Sequence, residues 1–168
     1  MVRRDPTKAR ELIQHLSQFF RSNLKQNIEA VTLNDELAHV NAYLTIEKAR
    51  FTDRLEVAID IDSSLLQRKL PTFTLQPLVE NAIKHGISNL LEGGVVRIYS
   101  QHEEQGQRIV VEDNAGSYIE PNQAHAGLGM QIVAKRLTNK FGHVSDLKID
   151  VKTNQYTRMS FLIPNDDR

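Results

Sequence analysis

The sequence predicts an α+β fold, a two-layer α/β sandwich with an N-terminal helical arm, and three observations carry that prediction. Amphipathic helical stretches alternate with adjacent strand-like segments, a pattern that favours helices stacked on an antiparallel sheet over a doubly wound parallel sheet. The chain has 168 residues, 40% of them hydrophobic, which suits one compact domain with an appended element. No internal repeat or low-complexity tract breaks the alternation.

Asp5 and Pro6 supply the N-cap and first helical residue of the arm, and Leu12, Ile13, Leu16, Phe19, Phe20 and Leu24 recur at helical spacing to about Ile28. Thr32 with Asp35 reads as a capping box, and Leu37, Val40, Leu44 and Phe51 form an apolar stripe, so a second helix runs to about Thr52. LEVAIDI alternates as a strand does, and Pro71 punctuates the approach to the next helix, LQPLVENAIKHG. After Gly93-Gly94, the segments VVRIYSQHEE and QRIVVEDN form a hairpin across Gln105-Gly106 that delivers Asp113 at a strand end. A helix starting near Gly129 buries Met130, Val133, Ala134, Leu137 and Phe141, stops at Gly142, and gives way to the strands LKIDVKT and TRMSFLI.

Twenty-one basic and 21 acidic residues give a formal charge of zero, so nothing global points to nucleic acid or to a basic membrane-binding surface. The absence of cysteine excludes disulfides, thiolate metal sites and cysteine nucleophiles, and fits a reducing compartment. No apolar stretch approaches the roughly 20 residues needed to cross a bilayer, and MVRRDPTKAR is not a secretory signal, so the piece is expected to be soluble, without direct membrane insertion.

An unbroken helical reading of LQPLVENAIKHG, continued to Ser88, puts Asn81, Lys84, His85 and Ser88 on one polar face. The acidic turn VEDNAG and the glycine-started helix GLGMQIVAKRL follow in order, and three such pieces in this order point to a nucleotide site.

These segments resemble the catalytic half of sensor histidine kinases of the LytS type, which share the GHKL (Bergerat) ATP-binding fold. ARELIQHLSQFFRSNL is similar to the second helix of the dimerisation and phosphoacceptor hairpin, and LNDELAHVNAYLTIEKARFTDRLEV to the lead-in to the catalytic domain. LQPLVENAIKHG resembles the N box, VEDNAGSY the G1 box and GLGMQIVAKRL the G2 box. The resemblance implies a partial hairpin helix over residues 1–31 and a catalytic ATP-binding domain over residues 32–168.

It further implies that Asn81 is the protein ligand to Mg²⁺ and that Asp113 accepts the exocyclic amine of adenine. One amide oxygen suffices for Mg²⁺, which keeps several waters and touches phosphates. Lys84 and His85 can offer positive charge or ring contact to phosphate and base; the plainer reading pairs Lys84 with Glu80 on a solvated face. Asp113 alone also reads as a carboxylate capping its own Asp-Asn-Ala-Gly turn. Gly127, Leu128, Gly129 and Met130 open the G2 helix, whose backbone N–H groups and positive dipole end suit phosphate, although Met130 is most simply core. The G1 glycines common in the wider family are here Ala115 and Ser117, with Gly116 between them, and His125 stands where a further glycine often precedes the G2 box.

Pro77 occupies the position, four residues before Asn81, where GHKL enzymes that hydrolyse ATP carry a water-activating Glu, so phosphoryl transfer to a histidine is favoured over hydrolysis. Glu80 points about 100° around the helix from Asn81 and can orient or deprotonate an acceptor imidazole, or be surface charge. No segment matches the family's acceptor-histidine motif; His15, His39, His85, His102, His125 and His143 lie in other contexts, so the acceptor is expected outside this piece. The resemblance implies a homodimeric, membrane-anchored bacterial parent with this region in the cytoplasm and a response regulator as partner. Two other readings stand beside it: a nucleotide-binding or interaction module without kinase activity, and a GHKL-type ATPase.

Overall fold

The computed structural model describes residues 30–118 and 128–165, so the predicted N-terminal arm helix lies outside the described residues. Strand β1 (Ala30–Thr32) leads into helix α1 (Leu33–Phe51), and the junction is fixed locally. The Asp35 N–H donates to the Thr32 hydroxyl at 3.1 Å while the Thr32 N–H donates back to the Asp35 carboxylate at 3.1 Å, the predicted capping box. Helix α1 buries Leu33, Leu37, Val40, Leu44 and Phe51 and stops where Thr52 turns to φ 57°.

Strand β2 (Leu55–Asp60) is followed by a short strand, β3 (Lys69–Pro71), which pairs antiparallel with β1. Helix α2 spans Leu75–Asn81 and runs on into a π turn over Ala82–Gly86 and a 3-10 turn over Ile87–Asn89. The hairpin of β4 (Gly94–Glu103) and β5 (Gly106–Asp113) forms as predicted, with Asp113 as the last residue of its strand. Helix α3 (Leu128–Phe141) ends at Gly142, whose φ of 78° lets its N–H close on the Thr138 carbonyl at 2.8 Å. Strands β6 (Lys148–Lys152) and β7 (Tyr156–Pro164) complete the chain.

The main sheet has five strands in the order β2-β4-β5-β7-β6. The expected antiparallel neighbours form in β4–β5, β5–β7 and β6–β7, while β2 and β4 run parallel. The segment between them carries β3 and α2, and a connection of that length can return the chain to the same end of the sheet. Val96, Ile98, Ile109, Val111, Met159, Phe161 and Ile163 face the helices and join the apolar faces of α1, α2 and α3 in one core, the predicted two-layer arrangement. The opposite sheet face carries buried Val110 and Leu162 and a charged cluster in which Glu112, 8% exposed, is held by Arg158, by Arg97 at 3.3 Å and by the Tyr99 hydroxyl at 3.2 Å.

One carboxylate in the core side of α1 ties the layers together. Glu36, 1% exposed, accepts from the backbone N–H of Phe73 at 2.7 Å and of Leu75 at 2.8 Å, so its two oxygens satisfy amides at the start of α2. Thr74, in the capping position, sends its hydroxyl to the Pro71 carbonyl at 2.6 Å instead. Burial pushes the Glu36 carboxyl above its ordinary range, and the amide hydrogen bonds oppose that shift. Glu36→Ala strands both donors in a dry environment and is expected to cost about 3 kcal/mol of stability in urea unfolding; a loss within experimental error would show that α2 is held by its apolar contacts alone.

Candidate functional site

The end of β5, the π turn after α2 and the turn that follows Asp113 meet on the helical side of the sheet. Asp113 is 3% exposed and shares that face with Val96 and Val111. Its Oδ1 accepts from the Ala115 N–H at 2.9 Å and, more weakly, from the Gly116 N–H at 3.4 Å. The turn-capping role is therefore real, but it occupies one oxygen. Burial raises the Asp113 carboxyl above the usual aspartate range; the Ala115 and Gly116 amides and Thr157 oppose this, and the neighbouring Glu112 reinforces it.

Gly86 closes over that carboxyl. A Cβ there would lie 2.7 Å from the Asp113 carboxyl carbon and 3.1 Å from Oδ2, so only a hydrogen permits the approach. Gly116 is the second such position: its φ is 58°, and a Cβ would stand 2.2 Å from the Lys152 carbonyl oxygen in the β6–β7 hairpin. Its own carbonyl accepts from the Asn154 N–H at 3.2 Å. This accounts for the shifted glycine of the acidic turn. The left-handed residue is Gly116, Ala115 is buried, and the Ser117 hydroxyl donates to the His85 carbonyl, joining the turn to the end of the α2 segment.

The π turn also breaks the even polar face expected of an unbroken helix. Asn81 is half-buried toward the sheet, its amide Nδ2 donating to the Met159 sulfur at 3.6 Å, and its carbonyl oxygen engages no other group among the described residues. Lys84 and His85 are exposed, whereas the Ser88 hydroxyl turns back to the Ile83 carbonyl at 2.9 Å. Lys84 forms no ion pair among the described residues, so the expected alternative of a Lys84–Glu80 bridge is not made. Glu80 instead accepts from the Gln76 side-chain amide at 2.7 Å.

Helix α3 begins beside α2, where a Cβ on Gly129 would be 3.9 Å from the Pro77 ring. Leu128 is the first residue of α3, and Met130 packs against the core as its simplest reading expects. Gly127 and His125 lie outside the described residues.

Three residues at this site escape a reading of the sequence. Glu36 fixes the start of α2. Gln76 holds Glu80. Thr157 stands opposite Asp113 in the β5–β7 register; its hydroxyl is near enough to favour the ionised carboxylate, yet it is buried without a hydrogen bond of normal geometry. The sequence signal for Glu36 is an acid inside an apolar helical stripe, three residues after Leu33 and four before Val40. Gln76 and Thr157 give no such signal.

The chain is similar to known histidine kinases in sequence and in fold. A family model described as Histidine kinase matches residues 1–55. The chain is 51% identical over 164 residues to the sensor histidine kinase BtsS of Escherichia coli (strain K12), covering 98% of this chain and 29% of that protein. It is 35% identical over 176 residues to the sensor protein LytS of Staphylococcus saprophyticus, covering 98% of this chain and 30% of that one. The chain thus spans about 30% of the length of the curated relatives it matches. Among solved structures, the catalytic domain of histidine kinase ThkA superposes with a TM-score of 0.57 at 17% identity, covering 82% of this chain and 98% of that one. The same kinase is also known in complex with the response regulator protein TrrA, with a TM-score of 0.55 and 17% identity, covering 90% of this chain and 48% of that one. At such identities the likeness shows the shared fold.

The raised Asp113 carboxyl yields a test with a definite sign. The folded state holds this proton more tightly than the unfolded chain, so stability attached to Asp113 is fullest below the ordinary aspartate pKa and is lost as pH rises through the raised value. Asp113→Asn keeps an oxygen for the Ala115 N–H and removes the titration. The stability of wild type relative to Asp113→Asn should fall with rising pH through that window and then level off. A flat difference from about pH 3 to pH 7 in denaturant titrations would contradict the buried, proton-retaining carboxyl.

Proposed function

The chain belongs to the sensor histidine kinases of the LytS type, and from that premise we propose that it is an ATP-binding catalytic region. In a longer parent it transfers the γ-phosphoryl group of ATP to a histidine outside these 168 residues, for relay to a response regulator. The observation that carries the reading is Asp113, a buried carboxylate with Oδ1 tied to its own turn, Oδ2 outside that turn, and the backbone of Gly86 packed against the carboxyl. An uncommitted carboxylate oxygen is an acceptor for the exocyclic amine of adenine.

Asn81 fits the role of Mg²⁺ ligand because its carbonyl oxygen is uncommitted while its amide nitrogen is turned to Met159. Among the described residues no group of three or more His, Asp or Glu side chains could hold a metal ion, so the remaining ligands would be phosphate and water oxygens. When bound, Mg²⁺ supplies charge neutralisation on the transferring phosphoryl group. Lys84, free of any ion pair among the described residues, is available to the phosphates, His85 lies beside it at the rim, and the first turn of α3 from Leu128 through Gly129 offers backbone N–H groups. Catalysis on this scheme is positioning and electrostatics, with Glu80 orienting the acceptor imidazole. Pro77 offers no base to activate water, which favours transfer over hydrolysis.

We place the arm of residues 1–31 in the dimerisation hairpin of a homodimeric, membrane-anchored parent and residues 32–168 in the catalytic domain, with β1 crossing that boundary. No helix among the described residues is long and apolar enough to cross a membrane. Calorimetric titration with Mg²⁺-ATP tests the reading. Binding should be abolished by Asp113→Asn and weakened at least about 10-fold by Asn81→Ala, with ADP in the absence of Mg²⁺ insensitive to Asn81→Ala. No heat with wild type would leave an interaction module as the better account, and steady phosphate release would favour an ATPase.

A further inference from the structure

The carboxylate of Glu80 is held by the side chain of Gln76. Gln76 is the second residue of α2, 7% exposed, and one helical turn before Glu80. Its Nε2 donates to Glu80 Oε1 at 2.7 Å, and Oε2 of Glu80 has no partner among the described residues. From α1, Tyr43 and Glu47 face the same region: burial, then the Glu47 and Glu80 carboxylates, push the Tyr43 phenol well above its usual range. The nearest cation on that helix is already engaged, since the Arg50 guanidinium lies 2.6 Å from Glu47 and 4.6 Å from the centre of the Phe51 ring. Lys84 and His85, on the same helical segment as Glu80, are exposed and bridge to no carboxylate among the described residues. Glu80 is therefore held by a neutral amide.

The choice of donor has chemical consequences. A cation at Oε1 would lower the proton affinity of the carboxylate and hold its charge. An amide donor fixes the carboxylate rotamer without placing an opposite charge beside it. It also keeps Glu80 from swinging to Lys84, which stays available. We infer that Gln76 is a positioning residue for phosphoryl transfer: it pins Oε1 of Glu80 so that Oε2 receives the ring N–H of the incoming acceptor imidazole. The inference rests on the proposed kinase reading. In the step itself, one ring nitrogen forms a bond to the γ-phosphorus as the bond from that phosphorus to the bridging oxygen breaks. The electron pair of the broken bond leaves with ADP, and the proton on the other ring nitrogen passes to Glu80 Oε2.

The test uses the full-length kinase and follows phosphohistidine formation with saturating Mg²⁺-ATP, alongside binding of a fluorescent ATP analogue and thermal unfolding of each variant. Gln76→Leu should slow phosphoryl transfer about 10-fold with nucleotide binding and unfolding temperature unchanged. Gln76→Glu, which keeps the shape but loses the donor, should slow transfer to a similar extent, again with nucleotide binding unchanged. In a Glu80→Gln background, Gln76→Leu should have no further effect. Additive losses in the double variant, or a Gln76→Glu enzyme with the wild-type rate, would reduce Gln76 to a structural role and overturn the inference. A Glu80→Gln enzyme with wild-type rate would overturn it at its premise, and loss of analogue binding in wild type would refute the kinase reading itself.

Discussion

Two backbone amides at the start of α2, those of Phe73 and Leu75, are satisfied by the buried carboxylate of Glu36 on α1, and the geometry of the site depends on that link. Helix α2 proper is only 7 residues long, too short to be stable by propensity. Its direction is set from outside, by Glu36 at its start and by Leu75, Leu78 and Val79 in the core. Phe73 takes a left-handed φ of 60° to present its N–H to Glu36, and the chain accepts that strain because the alternative is an orphaned donor in the interior. Once α2 is fixed, Asn81, Glu80 and the π turn are fixed with it.

The π turn then matters as a device of spacing. It ends at Gly86, the residue whose missing side chain lets the backbone close on the Asp113 carboxyl. From the other side, Gly116 allows the acidic turn to lie on the β6–β7 hairpin, and Ser117 ties that turn to the His85 carbonyl. Asp113 is thus enclosed by its own turn and by two segments distant in sequence, the π turn at Gly86 and β7 at Thr157, and among the described residues none touches it through a charge of opposite sign. Its single committed oxygen and its raised proton affinity follow from this enclosure.

What could be read from the sequence was what is encoded locally. The Thr32–Asp35 capping box, the hairpin across Gln105-Gly106 and the stop at Gly142 each depend on residues within four positions of one another, and each is found. The three-residue strands β1 and β3 have too little pattern to announce themselves, and the parallel pairing of β2 with β4 is a property of the connection between them. The π turn is invisible to a period of 3.6, so Asn81, Lys84, His85 and Ser88 read as one face when the structure sends Asn81 toward Met159 and Ser88 back to the Ile83 carbonyl. Asp113 was legible as a residue, at the end of its strand, but its enclosure needed Gly86, 27 residues earlier in the chain.

Charge is sorted between the two faces of the sheet. On the outer face Glu112 is matched by Arg97 and Arg158, and Glu103 by Arg108. On the helical side, Glu36, Glu80 and Asp113 are each held by neutral N–H donors: backbone amides for the first and third, the Gln76 amide for the second. A carboxylate paired with arginine has a formal cation beside it, whereas one held by amides is fixed without an opposite charge. The same sorting leaves Lys84 without an acidic partner among the described residues. Among the described residues the carboxylates beside α2 and the exposed Lys84 are thus kept apart, each open to a further partner.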